Sequence, residues 1–175
     1  MHSDPPLAPP GSFLPRRAVV ALAVVQLLAI AVWAGGLFAL GAVVAPIVFR
    51  VVPAPTSADA MTRVFGRFDA VAIACAAITL VAEAGFAVRG GRITRADMAR
   101  ASALVVATGL AITIGVWLSP GIAELHRQGA IRGVGDAGIA LQRLHRLAEM
   151  LAKTEIVALL VAFVLAVTKV ARPTR

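Results

Sequence analysis

An uncharged run of 32 residues, Ala18 to Phe49, limits this chain more than any other feature. A helix crossing a bilayer needs about 20 apolar residues. A secretory signal core has only roughly 7–15. The run is therefore read as a signal anchor that stays in the protein. Pro46 is expected to end or kink its helix, because proline lacks an amide donor and clashes with the preceding turn.

Three further runs follow. Between Asp69 and Arg89 the only charged residue is Glu83. Ala101 to Ala123 is uncharged, and Pro120-Gly121 is read as its end. Ile156 to Thr168 is charge-free but too short to span, so it must recruit the turns from about Leu147, which carry Glu149, Lys153 and Glu155. Continuous runs exclude β-barrel strands, which would alternate over about 10 residues. With 59% hydrophobic and 15% charged residues among 175, the chain has more apolar surface than a water-soluble fold of this length can hide. The expected fold is all-α, an integral membrane four-helix bundle in one domain over residues 16–172. Its spans are about 18–48, 68–89, 100–119 and 147–170.

Outside the spans, residues 1–15 hold five prolines and read as a disordered tail. Val52 to Asp59, with Pro53 and Pro55, reads as a turn, and Gly90-Gly91 opens a short basic connection. Residues 121–146 read as an amphipathic extramembrane connector. Its glycines break it before Leu141, Leu144, Leu147 and Leu151 resume helical spacing.

The net charge of +8 comes from fifteen Arg and two Lys against nine acids. These cations flank apolar runs rather than forming a patch. They read as membrane anchors meeting anionic headgroups, and nucleic acid is not an expected partner. Nine of them (Arg16, Arg17, Arg89, Arg92, Arg95, Arg100, Lys169, Arg172 and Arg175) fall on the side of the termini. Seven (Arg50, Arg63, Arg67, Arg127, Arg132, Arg143 and Arg146) fall on the other. The positive-inside rule then puts both termini in the cytoplasm of a bacterial inner membrane. Cys75 is the one cysteine, so the chain forms no internal disulfide.

Polar residues inside the spans are the natural candidates for function, since each costs about 2.5–3.5 kcal/mol at the bilayer centre when charged. Glu83 lies about 9 Å along its helix from Arg89, and Gln26 sits at a similar height on the first helix. A Gln26–Glu83 hydrogen bond is within reach. Trp33, Cys75, Gly115, Trp117, Lys153 and Glu155 form a second layer. Glu149 and Lys153 are spaced i,i+4 and can pair. Glu155 points about 160° away from Lys153 and needs another partner, which a Trp indole could supply. This layer reads either as a polar pocket or proton path, or as interfacial anchoring. Asp69 is expected to cap or pair locally. Gly35-Gly36 reads as a close-packing device.

Leu125-His126-Arg127 and Leu144-His145-Arg146 repeat a pattern 19 residues apart. His126 and His145 are thus the weak metal or haem candidates, although no HExxH or closely spaced His pair is present. No nucleophile–base constellation or P-loop occurs. Gly133-x-Gly135-x-x-Gly138 follows no strand and is not a dinucleotide fingerprint. No catalytic residue, resident metal or cofactor is expected, and the chain is not read as an enzyme.

Trp33-Ala34-Gly35-Gly36-Leu37-Phe38, followed by Ala45-Pro46 and Phe49, resembles the first-helix signature of the transmembrane protein 205-like family of small four-pass membrane proteins. Leu144-His145 resembles that family's second signature. Three positions depart from the pattern: Leu141 stands where the family has Phe, and Glu149 and Lys153 stand where it has Ser and Asn. The resemblance implies the fold and a membrane location and brings no activity. Three functions are compatible with these observations. The first is a non-enzymatic membrane protein acting through lipid contact, a membrane partner or a second copy, in stress or solute handling. The second is a small transporter or proton relay using intramembrane Glu and Lys. The third is a metal or haem protein using His126 and His145.

Overall fold

The structure is a computed structural model that describes residues 15–88 and 93–171. The proline-rich tail over 1–14, the Gly90-Gly91 connection, and Arg89, Arg92, Arg172 and Arg175 lie outside the described residues. Eight helical elements follow one another: α1 (Arg16–Phe38), a π-helical turn (Ala39–Val44), α2 (Ala45–Val51), α3 (Thr56–Val88), α4 (Arg95–Ile112), a second π turn (Thr113–Leu118), α5 (Ser119–Arg127) and α6 (Gly135–Ala171). They make four rods long and apolar enough to cross a membrane: Arg17–Val51, Thr56–Val88, Arg95–Arg127 and Gly135–Lys169. The chain is a multi-pass membrane protein with a four-helix bundle fold.

Neither internal proline ends its rod. Pro46 and Pro120 each follow a π turn, in which the Ala45 amide donates to the Leu40 carbonyl and the Ser119 amide to the Ile114 carbonyl. The wider turn accommodates the prolyl ring and the missing donor, so the helix continues. The end expected at Pro120-Gly121 is therefore corrected to Arg127, and Pro46, expected to end or kink its helix, lies within a rod that runs to Val51. The connector expected over 121–146 is mostly helix: α5 runs to Arg127, α6 starts at Gly135, and only 128–134 lie between them. Gly129, Gly133 and Gly135 adopt positive φ in this tight turn, a region that favours glycine. The helix α3 begins twelve residues before the expected span, at Thr56, with Asp59 in its first turn where the helix dipole favours an acid.

The rods alternate up and down. Packing pairs α1 with α3 and α6, and α4 with α3 and α6, which makes a square bundle. Its core is narrow because alanines line it: Ala29, Ala72, Ala76, Ala107, Ala111 and Ala162 surround Ile30, Trp33, Leu104 and Leu159. Small residues let backbones approach where lipid supplies no hydrophobic drive between helices. The outside carries Val24, Leu28, Val32, Val105, Val157, Leu160 and Val164, all exposed, as lipid contact requires. A helix of 37 residues extends about 55 Å, against a hydrocarbon thickness of about 30 Å, so the rods project beyond the apolar slab.

Candidate functional site: a buried carboxyl between two ends of the bundle

The polar side chains gather at three levels. The near end is the one holding Arg17, Val88, Arg95 and Lys169. There, Gln26 donates through Nε2 to Glu83 Oε1 at 2.8 Å and to the Thr79 carbonyl at 3.4 Å. Arg100 grips both oxygens of Glu83, Nε to Oε1 at 2.5 Å and Nη2 to Oε2 at 3.0 Å. The same guanidinium reaches Asp97 at 3.4 Å, and Asp97 accepts from Lys169 at 2.5 Å. Phe86 lies beneath both cations, 5.5 Å from Arg100 and 5.3 Å from Lys169. Asp97 also closes a capping box with Thr94, which fixes the start of α4.

Four charges of alternating sign thus cancel, and their hydrogen bonds tie α1, α3, α4 and α6 together. Glu83 is a compensated ion-pair member, not a free intramembrane acid. Arg100, expected among the interfacial cations of the terminal side, is instead 2% exposed and belongs to the core. A sequence reading that places arginine in loops misses it, although the Asp97–Arg100 spacing of i,i+3 on one helix face hints at the pair.

At mid-height, Trp33 is fully buried and donates its indole N–H to Glu155 Oε1 at 2.6 Å. Glu155 is 1% exposed, and its second oxygen, Oε2, has no partner. Ala72, Cys75, Ala76, Ala111 and Leu159 surround this level and offer no side-chain cation. Asp69 is half-buried, and one of its oxygens is likewise unpartnered. Expected to cap or pair locally, it pairs instead with the side chain of Ser119, at the start of α5. Its Cβ packs on Gly115, where an added methyl would lie 3.2 Å away. Trp117, the other indole of this layer, is 70% exposed on the outer surface and serves no carboxyl.

Lys153 and Glu149 bond to each other at 2.7 Å and are 72% and 63% exposed, so both face away from the core. Exposed pairs of this kind contribute little. Lys153→Ala is expected to move the thermal midpoint in detergent by no more than about 2 °C. A larger fall would mean that Lys153 reaches the core.

At the far end, the Thr62 hydroxyl donates to the Ala58 carbonyl at 2.8 Å and lies 3.1 Å from His126 Nδ1. The rings of His126 and His145 stand 5.6 Å apart. A cleft of about 290 Å3, lined by Asp59, Thr62, Arg63, Ala123, His126 and Arg127, opens beside them. Two imidazoles do not complete a metal shell, and among the described residues no group of three His, Cys, Asp or Glu comes together to hold an ion.

The residues of the first-helix signature divide. Trp33 and Gly36 face inward: a Cβ on Gly36 would fall 2.2 Å from the Phe68 ring. Gly35 meets nothing within 4 Å and borders a groove of about 210 Å3 with Ile30, Ala31, Ala34, Leu159, Leu160 and Phe163. Pro46 and Phe49 are exposed.

No curated protein and no solved structure matches the chain. A family model described as a domain of unknown function, DUF4149, matches residues 28–131, a segment that runs from α1 through Trp33, Asp69, Glu83 and Arg100 to the turn after α5. That is more than half of the chain, which belongs to the DUF4149 family.

Proposed function

We propose that this chain is a non-enzymatic membrane protein that passes protons across the bilayer through Glu155. The observation that carries this reading is the unpartnered Oε2 of a carboxyl 1% exposed inside the bundle. A bare carboxylate in that position would lack any compensating cation, and burying an unpaired charge costs far more than one hydrogen bond returns. The carboxyl therefore rests as the neutral acid, with Oε1 accepting from Trp33 and the proton on Oε2. Such a group can take up and release a proton when the bundle rearranges, which is what a relay needs.

Glu83 and Lys153, the other acid and base considered for a relay, have no part in it. Glu83 is held by Arg100, and Lys153 by Glu149 at the surface. The resemblance of Trp33–Phe38 and Leu144-His145 to the transmembrane protein 205-like family agrees with a multi-pass membrane protein and adds no mechanism. With Arg100 inside the bundle, eight Lys and Arg stand on the terminal side against seven on the other, a small excess that favours cytoplasmic termini.

The test is a proton-flux assay in reconstituted vesicles with an internal pH dye and a potassium diffusion potential. Wild-type protein should acidify or alkalinise the lumen faster than empty vesicles, and Glu155→Gln should return the rate to that of empty vesicles. A wild-type rate equal to that of empty vesicles overturns the reading. The open groove beside Gly35 supports a second reading, contact with another membrane helix, either a partner's or a second copy's. Gly35→Leu should then change the oligomeric state in detergent, and an unchanged state removes it.

A further inference from the structure

We infer that the open cleft between α3 and α5 at the far end is a binding site for a phosphoethanolamine group, which carries an anionic phosphate and an ammonium joined by a two-carbon link. The inference stands apart from the reading of Glu155 and uses none of its residues.

It starts from two charges that do not meet. Asp59 and Arg63 are spaced i,i+4 on α3 with the acid first, the orientation that favours pairing on a helix. Glu149 with Lys153 on α6, at the same spacing, and Glu124 with Arg127 on α5 do pair. Among the described residues, neither Asp59 nor Arg63 enters an ion pair. Both are exposed and line the cleft, so an anion and a cation stand open one helical turn apart.

The other lining groups divide by the same chemistry. Arg63 offers the planar fork that holds two oxygens of a phosphate. Arg127 donates from Nη2 to Glu124, and among the described residues its Nε and Nη1 meet no acceptor. His126 adds a further donor. Thr62 has given its proton to the Ala58 carbonyl, so toward the cleft it is an acceptor, as Asp59 is. Ala123, with only a methyl group, keeps the α5 side open. A plain anion would meet the Asp59 carboxylate, and a plain cation would meet two guanidiniums. The charges of Arg63 and Arg127 are balanced by those of Asp59 and Glu124, which suits a ligand that carries both signs.

Height orders the two charges as a lipid headgroup does. Arg63 lies six residues before Asp69, where the apolar run of α3 begins, and Asp59 lies ten before it. Along the helix these are about 9 and 15 Å. The headgroup layer is about 5–8 Å deep on each face of the bilayer. The guanidinium thus stands nearer the hydrocarbon, where a phospholipid has its phosphate, and the carboxylate stands further out, where the ammonium is.

The test uses the full chain purified in detergent. Native mass spectrometry compares retention of dioleoyl phosphatidylethanolamine and dioleoyl phosphatidylglycerol, which share the phosphate and differ in the ammonium. Calorimetry compares free phosphoethanolamine with inorganic phosphate. Wild type should prefer the ethanolamine form by roughly tenfold in at least one of the two experiments, the worth of one charge-assisted hydrogen bond. Preference among the lipids alone makes the ligand a membrane headgroup, and preference for the free compound makes it a solute. Asp59→Asn should bring the two forms to parity, and Arg63→Gln should weaken the ethanolamine form by roughly tenfold. Both side chains are exposed, so both variants should fold. Arg50→Gln, exposed and outside the cleft, should change nothing. Absence of any preference in wild type overturns the site, as does a preference that survives Asp59→Asn and Arg63→Gln or is lost in Arg50→Gln.

Discussion

Arg100→Ala is expected to be the most damaging single substitution in the bundle, lowering stability by about 3–5 kcal/mol. The side chain is 2% exposed and holds Glu83 with two hydrogen bonds, 2.5 and 3.0 Å long. Removing it leaves the Glu83 carboxylate buried with only the neutral Gln26 amide for a partner. It also frees Asp97 from one of its two cations and takes a cation from the face of Phe86. Thermal unfolding in detergent should show the midpoint falling by roughly 10 °C. The double variant Arg100→Met with Glu83→Gln removes both charges together and should lose clearly less, because no uncompensated charge is left behind. Equal losses in the single and double variants would show that the pair contributes nothing as a pair.

Gly36→Leu is the second large effect. Even the first carbon of a side chain there would lie 2.2 Å from Cε2 and 2.7 Å from Cζ of Phe68, so the ring must move or the helices α1 and α3 must part. Overpacking of this kind costs about 1–3 kcal/mol and sometimes more. The midpoint should fall by several degrees, and Phe68→Ala in the same chain should recover part of the loss by vacating the space. Gly35→Leu is the control: nothing stands within 4 Å of that position, so the folded monomer should tolerate it. An unchanged midpoint in Gly36→Leu would contradict the close approach of α1 to α3.

Both effects bear on how far the sequence alone reaches. The four spans are legible because an uncharged run of sufficient length has few places to go but lipid. The ends of the rods are not, because hydropathy reports the slab and not the helix. Thr56 to Phe68 carries Asp59, Arg63 and Arg67 and so reads as outside a span, yet hydrogen bonding carries the helix through it. Pro120 reads as a stop and Pro46 as a stop or a kink, and only the π turns before them show how the backbone passes a proline.

The site is divided in the same way. Gln26 with Glu83, and Glu149 with Lys153, can be matched from height and i,i+4 spacing, and the structure places each pair in contact. A helical wheel turns Glu155 away from Lys153, and an indole is the donor it meets. That this indole is Trp33 and not Trp117 depends on rotation about the helix axes, which spacing does not determine. Arg100 and Asp69 stand at the edges of apolar runs, where a sequence reading assigns anchoring or capping. Their roles arise from neighbours on other helices, 17 residues away for Arg100 and Glu83.

The measurement that bears most directly on the account is labelling of the reconstituted protein with dicyclohexylcarbodiimide, followed by peptide mass spectrometry. This apolar reagent adds to a carboxyl that is protonated and sheltered from water, and not to a carboxylate held in an ion pair. The account predicts label on Glu155, none on Glu83, and loss of proton flux in the labelled protein. Label on Glu83 with Glu155 untouched would contradict it, because the proton would then sit in the Arg100 lock and not beside Trp33.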